Sequence, residues 1–418
     1  MRVASAAAAS SFSSPLRNAL LVAVLQVLLM SYSATAQCDF RSSHPRRYAV
    51  YHLQAQASSK NGGGSAGTKA SKEAFAAPAA ITIDGLLNET AWEETLWSED
   101  FVDIQGPQHW SQPWFATKVK MRYDDQFLYI GAYLEERAVW ANVTTRNDVV
   151  FADNDFEVFV DADGSTHNYK EFEVNALNTT WNLLLNRPYR NGGHENSTRV
   201  DPENGFDMFG NGMKSAVFMK GTPNDPAQQM HFWTAEIALP LKELARYTAA
   251  VLPPKPMSFW RINFSRVEWA VMVQNNRYMK IPGQAEENWV WSPQHAVNMH
   301  MPENWGYIQF RPDFNERHPV LLDPEWNVRY LAFQLYYAQH AFKQANGYFS
   351  VLMPALEAYF PSKKTFACID SLDLRVNNTA GTFEALVMRH NMPSYAASIR
   401  DDSFIQVRLV RPEIESAE

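Results

Sequence analysis

The chain has 418 residues, of which 46% are hydrophobic and 13% aromatic, enough to bury a large core in more than one domain. Its formal charge is −8 at neutral pH, and its basic residues form no cluster. An acidic chain of this kind is a poor partner for nucleic acids and for anionic membrane surfaces. The composition therefore argues against both as ligands.

The N-terminus has the pattern of a secretory signal peptide. Arg2 and Arg17 flank the start of an apolar run over residues 19–30, and a small-x-small cleavage pattern follows at residues 34–36. The run is too short for a stable membrane span. We therefore predict that residues 1–36 are a signal peptide, that the protein is secreted, and that the mature chain has no membrane span.

A low-complexity segment follows. Gly, Ser, Ala and Lys dominate residues 55–80, a composition that cannot pack, and we assign residues 37–79 to a linker. Cys38 and Cys368 are the two cysteines of the chain. They are too few for a disulfide scaffold, but in an oxidising compartment they could pair with each other.

Residues 80–312 contain many short segments that alternate apolar and polar residues, with turn residues between them. The main segments are "TKVKMRYDD", "FLYIGAYLEE", "DFEVFVDAD", "YKEFEVNAL", "TWNLLL", "MKSAVFMKG", "HFWTAEIALP", "SFWRINFSRVEW" and "WGYIQF". Strands at this density predict a mainly β fold, an antiparallel β-sandwich of the immunoglobulin-like or jelly-roll-like kind. The stretch "PLKELARYTA" is the one clear helix within it.

The C-terminal residues 313–418 have a different pattern, which predicts a small α+β appendage of unknown role. One helical stripe, closed by Asn346-Gly347 as a C-cap, consists of Val328, Leu331, Leu335, Ala338 and Phe342. Strand-like runs follow this helix. We expect the stripe to be part of a core rather than a partner-binding face.

Two consecutive strands place most of their carboxylates on one face. The first puts Phe156, Val158 and Val160 on one side and Asp155, Glu157, Phe159 and Asp161 on the other; the second divides Phe172, Val174 and Ala176 from Glu171, Glu173 and Asn175. In a hairpin, side chains on one face pair only if their numbers share parity, so Glu157 should oppose Glu171 or Glu173. Such close like charges need compensation, and Arg261 in "WRINFSRVEW" is a candidate.

Three interpretations of this acidic face do not involve sugar binding. The face could simply be solvated. The turn Asp161-x-Asp163-Gly164, with Asn168 soon after, supplies the hard oxygen ligands of a structural calcium site. A carboxylate pair such as Glu157 and Glu171 could also reach the separation of about 5–5.5 Å that a retaining glycosidase requires.

The fourth interpretation is a sugar-binding site. Carbohydrate ligands need aromatic planes for their C–H faces and amide or carboxylate partners for their hydroxyls. Glu157 and Asn175 offer the polar partners, and Trp181, Trp289 and Trp291 offer the aromatic planes. Because Ser-Pro follows Trp291, we expect Trp291 to lie at a strand end, where it could form an exposed platform.

Six Asn-x-Ser/Thr sequons occur in the chain. Together with a signal peptide they predict a glycosylated secreted protein, modified at Asn88, Asn142, Asn178, Asn196 and Asn377. The sixth sequon, at Asn263, lies within a predicted strand, and we expect it to stay unmodified.

Five blocks in the same order over residues 80–312 together resemble a family 9 carbohydrate-binding module. The blocks are "IDGLLNETAW", "DNDFEVFVDADGSTHNYKEFEVNAL", "TAEIALP", "WRINFSRVEW" and "NWVWSPQHAVNMHMPENWGYIQF". The resemblance implies a β-sandwich that binds sugar chain ends or soluble sugars between two aromatic side chains, often with structural calcium ions.

The resemblance also implies roles for individual residues. Trp291 falls on one aromatic residue of the clamp, and Phe151 falls on the other, where the best-known pattern of the family has Trp. Glu157 and Asn175 fall on hydrogen-bonding positions. At Glu173 the sugar binders of the family have a basic residue. Related sandwiches also include haem-binding domains with Met and His ligands, which would here be offered by "VNMHMP".

These observations lead to one main prediction and two alternatives. We expect a secreted, non-catalytic protein that binds an oligosaccharide or polysaccharide, in carbohydrate catabolism or at a cell wall. The first alternative is a hydrolase acting on glycosidic bonds, or the accessory part of one. The second is an extracellular structural or adhesion protein that does not bind sugar.

Overall fold

A computed structural model describes residues 38–53, 81–312, 319–390 and 394–410, and these residues form two compact units. The larger unit comprises Ser43–Pro324 and Arg400–Gln406. The smaller unit comprises, within the described residues, 38–42, 325–399 and 407–410. The predicted signal peptide and residues 54–79 of the predicted linker lie outside the described residues.

The larger unit is built mainly from β-strands. Its strands are β1 (Arg47–His52), β2 (Val102–Asp103), β3 (Thr117–Tyr123), β4 (Phe127–Glu135), β5 (Asp155–Asp161), β6 (Tyr169–Asn175), β7 (Thr180–Leu185), β8 (Glu195–Asn196), β9 (Lys214–Met219), β10 (Phe232–Pro240), β11 (Phe259–Glu268), β12 (Val271–Gln274), β13 (Arg277–Lys280), β14 (Glu287–Val290) and β15 (Gly306–Arg311). Two short helices accompany them, α1 (Thr90–Glu93) and α2 (Leu241–Leu244). The helix predicted from "PLKELARYTA" is therefore a single turn.

Thirteen of these strands join in one sheet, which confirms the predicted mainly β, sandwich-like fold. The strand order is β8-β7-β6-β5-β11-β15-β1-β3-β4-β10-β9, and β14 pairs with β11 and with β2. All pairings are antiparallel except those of β1, which runs parallel to both β15 and β3. The remaining two strands, β12 and β13, form a separate hairpin.

The position of β1 corrects the predicted domain boundary. Residues 37–79 were expected to be a linker, but Arg47–His52 forms an internal strand of the sheet, with Tyr48 and Val50 buried in the core. The physical reason is the alternation in "RYAVYH", which presents two apolar side chains to the core while its backbone pairs on both sides. The sandwich therefore begins before the low-complexity segment.

The main core is lined by one face of β5 and β6 and by the facing strands β3, β4 and β10. It includes every apolar residue predicted for the inner face of the first two acidic strands: Phe156, Val158, Val160, Phe172, Val174 and Ala176. The period of two therefore predicted correctly which side chains of these strands are apolar and buried together.

A second, smaller hydrophobic cluster lies on the other face of the same strands. Phe159, Tyr169 and Trp181 belong to it, and so do Met299 and Trp305 from the segment before β15. As a result, every residue of β5 and β6 is buried. The interpretation of the acidic face as a solvated strand face is therefore wrong, because residues distant in sequence cover it.

The buried carboxylate of Glu236 binds the segment "IDGLLNETAW", the first block of the family resemblance, to the sheet. Glu236 of β10 accepts hydrogen bonds from the backbone N–H groups of Asp84 at 2.9 Å and Gly85 at 3.0 Å, and from Nε1 of Trp92 at 2.8 Å. Gly85 has φ +87°, and a Cβ atom there would lie 2.7 Å from the backbone N of Phe218. Only glycine fits this close backbone approach.

The smaller unit combines helices with a four-stranded sheet, as predicted. Its elements are α3 (Trp326–Asn346), α4 (Met353–Leu356), α5 (Lys363–Ala367), β16 (Ile369–Asn377), β17 (Thr382–Arg389), β18 (Tyr395–Arg400) and β19 (Ile405–Leu409). The strands lie in the order β16-β17-β18-β19, and α3 packs against β17. Arg400–Gln406, which includes the turn between the last two strands, is grouped with the larger unit.

The helix α3 follows its sequence pattern. All five residues of the predicted stripe are buried, and Gly347, with φ +85°, closes the helix by donating to the carbonyl of Lys343 at 2.7 Å. A disulfide joins Cys38 to Cys368 within this unit, with a Cα–Cα distance of 5.5 Å. None of the described helices combines the length and the apolar character that a transmembrane span needs.

Candidate functional site

The strand register brings the acidic residues of β5 and β6 together. Glu157 lies directly opposite Glu173 on β6 and opposite Ser265 on β11, while Glu171 lies opposite Phe159. Opposed residues of neighbouring strands point to the same face of a sheet. The parity argument is therefore confirmed, and Glu173, not Glu171, is the partner that faces Glu157.

These carboxylates are almost completely closed off from water. The exposed fraction is 0% for Asp155, 5% for Glu157, 5% for Glu171 and 1% for Glu173. One carboxylate oxygen of each of Asp155, Glu157 and Glu173 lies within 4.8 Å of the others. We refer to these three residues as the carboxylate trio.

Several polar atoms at this site have no hydrogen-bond partner among the described residues. They are Oδ2 of Asp155, Oε1 of Glu173, Oε2 of Glu171 and Oγ of Ser265. Buried polar atoms are nearly always hydrogen-bonded, and an unpaired one destabilises a fold by about 1–3 kcal/mol. Such a group of unpaired atoms marks the trio as a candidate ligand-binding site.

The electrostatics of the site disfavour full ionisation. Burial raises the pKa of Glu157 to about 7; the Ser265 hydroxyl lowers it somewhat, although it does not meet the carboxylate in hydrogen-bond geometry. The pKa values of Asp155 and Glu173 lie well above their ordinary values, first because of burial and then because of the Glu157 charge. The protein groups alone therefore disfavour full ionisation of the trio.

Phe151 lies at the edge of the trio. Its backbone N–H donates to Oε2 of Glu173 at 3.2 Å, and its backbone carbonyl accepts from Nε1 of Trp269 at 3.0 Å. The ring is 42% exposed, and its inner side stacks on Trp181 with 6.3 Å between ring centres and an angle of 29°. Phe151 thus presents a fixed aromatic surface to solvent beside the carboxylates.

Trp181 is on the acidic face, as expected, but it does not form a surface of its own. Its side chain is only 5% exposed, because Phe151 stacks on it and the Arg199 guanidinium lies 5.1 Å from its ring centre. Its Nε1 has no hydrogen-bond partner among the described residues. Trp181 therefore supports Phe151 from below.

Tyr189 is a residue of this site that the sequence interpretation missed. It is 45% exposed, its ring meets His300 edge-on at 4.6 Å, and its pKa is raised to about 12, first by burial and then by Glu171, Glu195 and Glu173. Tyr189 opens a 3₁₀ turn of three residues between β7 and β8, which is too short for a periodic pattern to indicate the direction of its side chain.

The expectation that Trp291 forms an exposed platform is wrong. Its side chain is 0% exposed and belongs to the main core, with its ring centre 5.9 Å from that of Phe264. Its Nε1 donates to Oε2 of Glu99 at 3.1 Å. Trp291 follows Val290, which belongs to the cluster on the acidic side, and adjacent residues of an extended chain point to opposite faces. Trp289 is likewise buried in the main core.

Asn175 and Arg261, which were also expected to line the binding site, make structural contacts instead. Asn175 is 0% exposed; its Nδ2 donates to Val143 O and Asp153 Oδ2, and its Oδ1 accepts from the backbone N–H groups of Leu177 and Thr179. The amide therefore closes the turn after β6. It has no remaining donor or acceptor directed to a sugar hydroxyl.

Arg261 does not offset the acidic strands in the way expected. It is opposite Asp161, with 4.0 Å between Nη1 and Oδ2, and its Nη1 also donates to the carbonyl of Pro302. Arg261 lies four residues along β11 from Ser265, the residue opposite Glu157. It is therefore at the other end of the acidic face from Glu157 and Glu173.

The residues of the predicted calcium loop form hydrogen bonds within the loop and with residues 247–249. Oδ2 of Asp161 accepts from Thr166 N at 2.9 Å, and Asp163 accepts from Ser165 N at 3.0 Å and from Ala249 N at 2.8 Å. Asn168 donates to the carbonyl of Tyr247 at 2.9 Å. A calcium ion in this loop stays a prediction.

The segment proposed for haem ligation also has packing contacts. Met299 belongs to the smaller cluster, and Nδ1 of His300 lies 3.0 Å from the Tyr169 hydroxyl.

The sequons divide by exposure in the way expected. Asn263 is 0% exposed. The five predicted glycosylation sites are all exposed, namely Asn88, Asn142, Asn178, Asn196 and Asn377.

Comparison with known proteins identifies the region that carries this site. Residues 83–207 match the family model described as carbohydrate family 9 binding domain-like. None of the curated protein sequences compared with the chain matches it.

Solved structures with similarity to the chain include three proteins at 13% sequence identity. A carbohydrate-binding protein, described as putative, from Bacteroides uniformis ATCC 8492 has a TM-score of 0.42 and aligns over 64% of this chain and 100% of its own. Two structures of a family 9 carbohydrate-binding module from Caldicellulosiruptor kristjanssonii, in complex with cellotriose and with glucose, have TM-scores of 0.36 and 0.37. Each aligns over 66% of this chain and 100% of its own.

The family match spans β5, β6 and β7, and so includes Phe151, Trp181 and the carboxylate trio. It ends before β11, and Ser265 therefore lies outside the matched residues. The chain is thus similar to carbohydrate family 9 binding domain-like proteins over residues 83–207.

Proposed function

We propose that this protein binds carbohydrate at the edge of its acidic site, with Phe151 as the stacking surface. The observation that carries the proposal is the half-exposed Phe151 ring, whose backbone N–H donates to Glu173, within the region that matches the family 9 binding domains. An aromatic ring supplies the plane on which the C–H face of a sugar packs. Tyr189 and Arg199 are the exposed neighbours that would meet the sugar hydroxyls.

The rest of the proposed setting is extracellular. The apolar N-terminal run, the Cys38–Cys368 disulfide and the exposure of five sequons support secretion and N-glycosylation, since disulfides persist in oxidising compartments. We propose that the protein takes part in carbohydrate catabolism or in contact with a cell wall, without catalysis of its own.

A glycan array with the secreted full chain, followed by calorimetry on the strongest ligand, tests the proposal. Glucose and cellotriose, present in the two structures from Caldicellulosiruptor kristjanssonii, are the first soluble probes. Phe151→Ala should weaken binding by about 1–3 kcal/mol, the scale of losing an aromatic anchor. This corresponds to roughly 5- to 150-fold in Kd.

Phe209→Ala is the matched control. Phe209 is 52% exposed and has the Arg146 guanidinium 4.8 Å from its ring centre, so it is another half-exposed phenylalanine near an arginine. Phe209 lies two residues after Asp207, which accepts a hydrogen bond from the side chain of Asn182 on β7. Asn182 is next to Trp181 in that strand, so its side chain points to the opposite face of the sheet. Equal affinity of the Phe151 variant and the wild type would overturn the proposed site; binding to no glycan would overturn the function.

A further inference from the structure

The acidic site has the geometry of a cation site that is separate from the predicted calcium loop. Ca²⁺ binds oxygen ligands at about 2.3–2.6 Å, so two ligands of one ion lie at most about 5 Å apart. The ligand oxygens of the carboxylate trio meet this limit, since all three lie within 4.8 Å of one another. They come from adjacent strands, which hold them in place without a flexible loop.

The chain does not neutralise these charges with its own basic side chains. No described Lys, Arg or His forms an ion pair with Asp155, Glu157 or Glu173, although the same unit pairs two other buried acids with one arginine. Arg266 lies 2.9 Å from Glu136 and 2.8 Å from Glu268. Buried carboxylates are normally paired or bound to a metal ion, and here the described residues provide no pairing.

A neutral side chain provides independent support. Ser265 comes from β11, is 0% exposed, and lies directly opposite Glu157 on the same face, yet its Oγ has no hydrogen-bond partner among the described residues. Oδ2 of Asp155 and Oε1 of Glu173 are unpaired in the same way. The oxygen of a buried hydroxyl without a hydrogen-bond partner is a suitable ligand for a hard cation.

We propose that Asp155, Glu157 and Glu173, together with Ser265 Oγ, bind a divalent cation, with Ca²⁺ as the first candidate. The ion neutralises the buried carboxylates and satisfies their unpaired oxygens. It also lies beneath Phe151, because Glu173 holds the backbone N–H of that residue through its second oxygen. The site goes beyond the proposed sugar binding and exists whether or not sugar binds.

Titration of the full chain with Ca²⁺, after removal of metal with a chelator, tests the proposal without any sugar. Calorimetry should show one site, and the thermal unfolding midpoint should rise with Ca²⁺ concentration, because an ion that binds only the folded state stabilises it. Glu173→Gln and Asp155→Asn, which keep the side-chain shape, should lose this response. A wild type with no response to Ca²⁺, Mg²⁺ or Mn²⁺ would overturn the proposal.

Two controls place the ion. Glu171→Gln changes a buried carboxylate that lies on the same strand and face as Glu173 but outside the trio. This variant should still bind Ca²⁺, with a smaller loss of affinity than Glu173→Gln or Asp155→Asn. Asp163→Asn removes a ligand of the predicted calcium loop. If Asp163→Asn abolishes the response while Glu173→Gln and Asp155→Asn keep it, the ion lies in the loop and the proposed site is wrong. Circular dichroism of each variant confirms that it is folded.

Discussion

The Trp291 indole lies against Gly306 so closely that a Cβ atom at position 306 would overlap the ring. Gly306 opens β15, and Trp291 follows β14; β14 and β15 pair one after the other with the same edge of β11, opposite β5. The absence of a side chain at position 306 makes room for the indole in the main core. Trp291 is therefore a structural residue, although its sequence context is typical of a strand end.

Trp291→Ala should destabilise the fold by about 3–5 kcal/mol, because truncation of a buried tryptophan removes apolar contacts and leaves a cavity. Chemical denaturation measures the loss, and the affinity for any glycan should stay unchanged per folded molecule. The control is Trp110→Ala, since the Trp110 side chain is 88% exposed and its removal should change stability little. If the Trp291 variant were stable but bound glycan more weakly, Trp291 would be a residue of the binding site.

Arg266→Met should destabilise the fold by about 3–5 kcal/mol, since it leaves Glu136 and Glu268 buried without their shared partner. The guanidinium is completely buried and also donates to Oγ1 of Thr117. Arg146→Met breaks a more exposed pair with Asp207 and should cost at most about 1 kcal/mol. Comparable losses in the two variants would show that the buried network contributes no more than a surface pair.

His300 should make the fold less stable in acid. Burial lowers the pKa of His300 to about 4, from about 6.5 in an unfolded chain. Between these pH values the unfolded state binds the additional proton, so stability falls as the pH falls from 6.5 to 4. The loss for this one group is up to about 3 kcal/mol.

The comparison with His300→Gln isolates this effect. The variant keeps a polar group next to the Tyr169 hydroxyl but cannot titrate. Its free energy of unfolding should therefore depend less on pH over this range, while both proteins keep the contribution of His44, whose pKa is also lowered to about 4. Parallel pH profiles of the two proteins would mean that His300 titrates normally.

Glycosylation should follow exposure. When the chain is secreted from a eukaryotic host, Asn→Gln at each of the five exposed sequons should remove the mass of one glycan, as read by mass spectrometry of the intact protein. Asn263→Gln should change the mass by no more than the substitution itself, because Asn263 is buried and its Nδ2 donates to the carbonyl of Ser292 at 2.8 Å. A glycan at Asn263 would contradict the burial of β11.

The local part of the fold could be predicted from sequence. Alternation alone places Phe156 and Val158 on one face and Glu157 on the other, since each strand residue has one of two directions. Parity then limits the partner of Glu157 to Glu171 or Glu173. The strand β1 was missed because it lies next to a low-complexity segment and pairs in parallel with strands far away in sequence.

The surroundings of the candidate site could not be predicted in the same way. Nothing in "FEVFVDAD" indicates that Met299 and Trp305, more than 130 residues later, cover the acidic face and turn it into a closed site. For the same reason Trp291 could be placed near a strand end but not on the correct face. Phe151 was identified through the family resemblance, not through its local pattern.

The link between Cys38 and Cys368 makes most of the chain a covalent ring. A protease that cuts once between residues 54 and 80 therefore releases no fragment: the disulfide still tethers the N-terminal piece, and β1 still pairs with β15 and β3. Such a nicked protein would migrate as one species in non-reducing electrophoresis and as two after reduction. Proteolytic processing in the low-complexity segment would thus leave the sandwich assembled from two non-contiguous polypeptides.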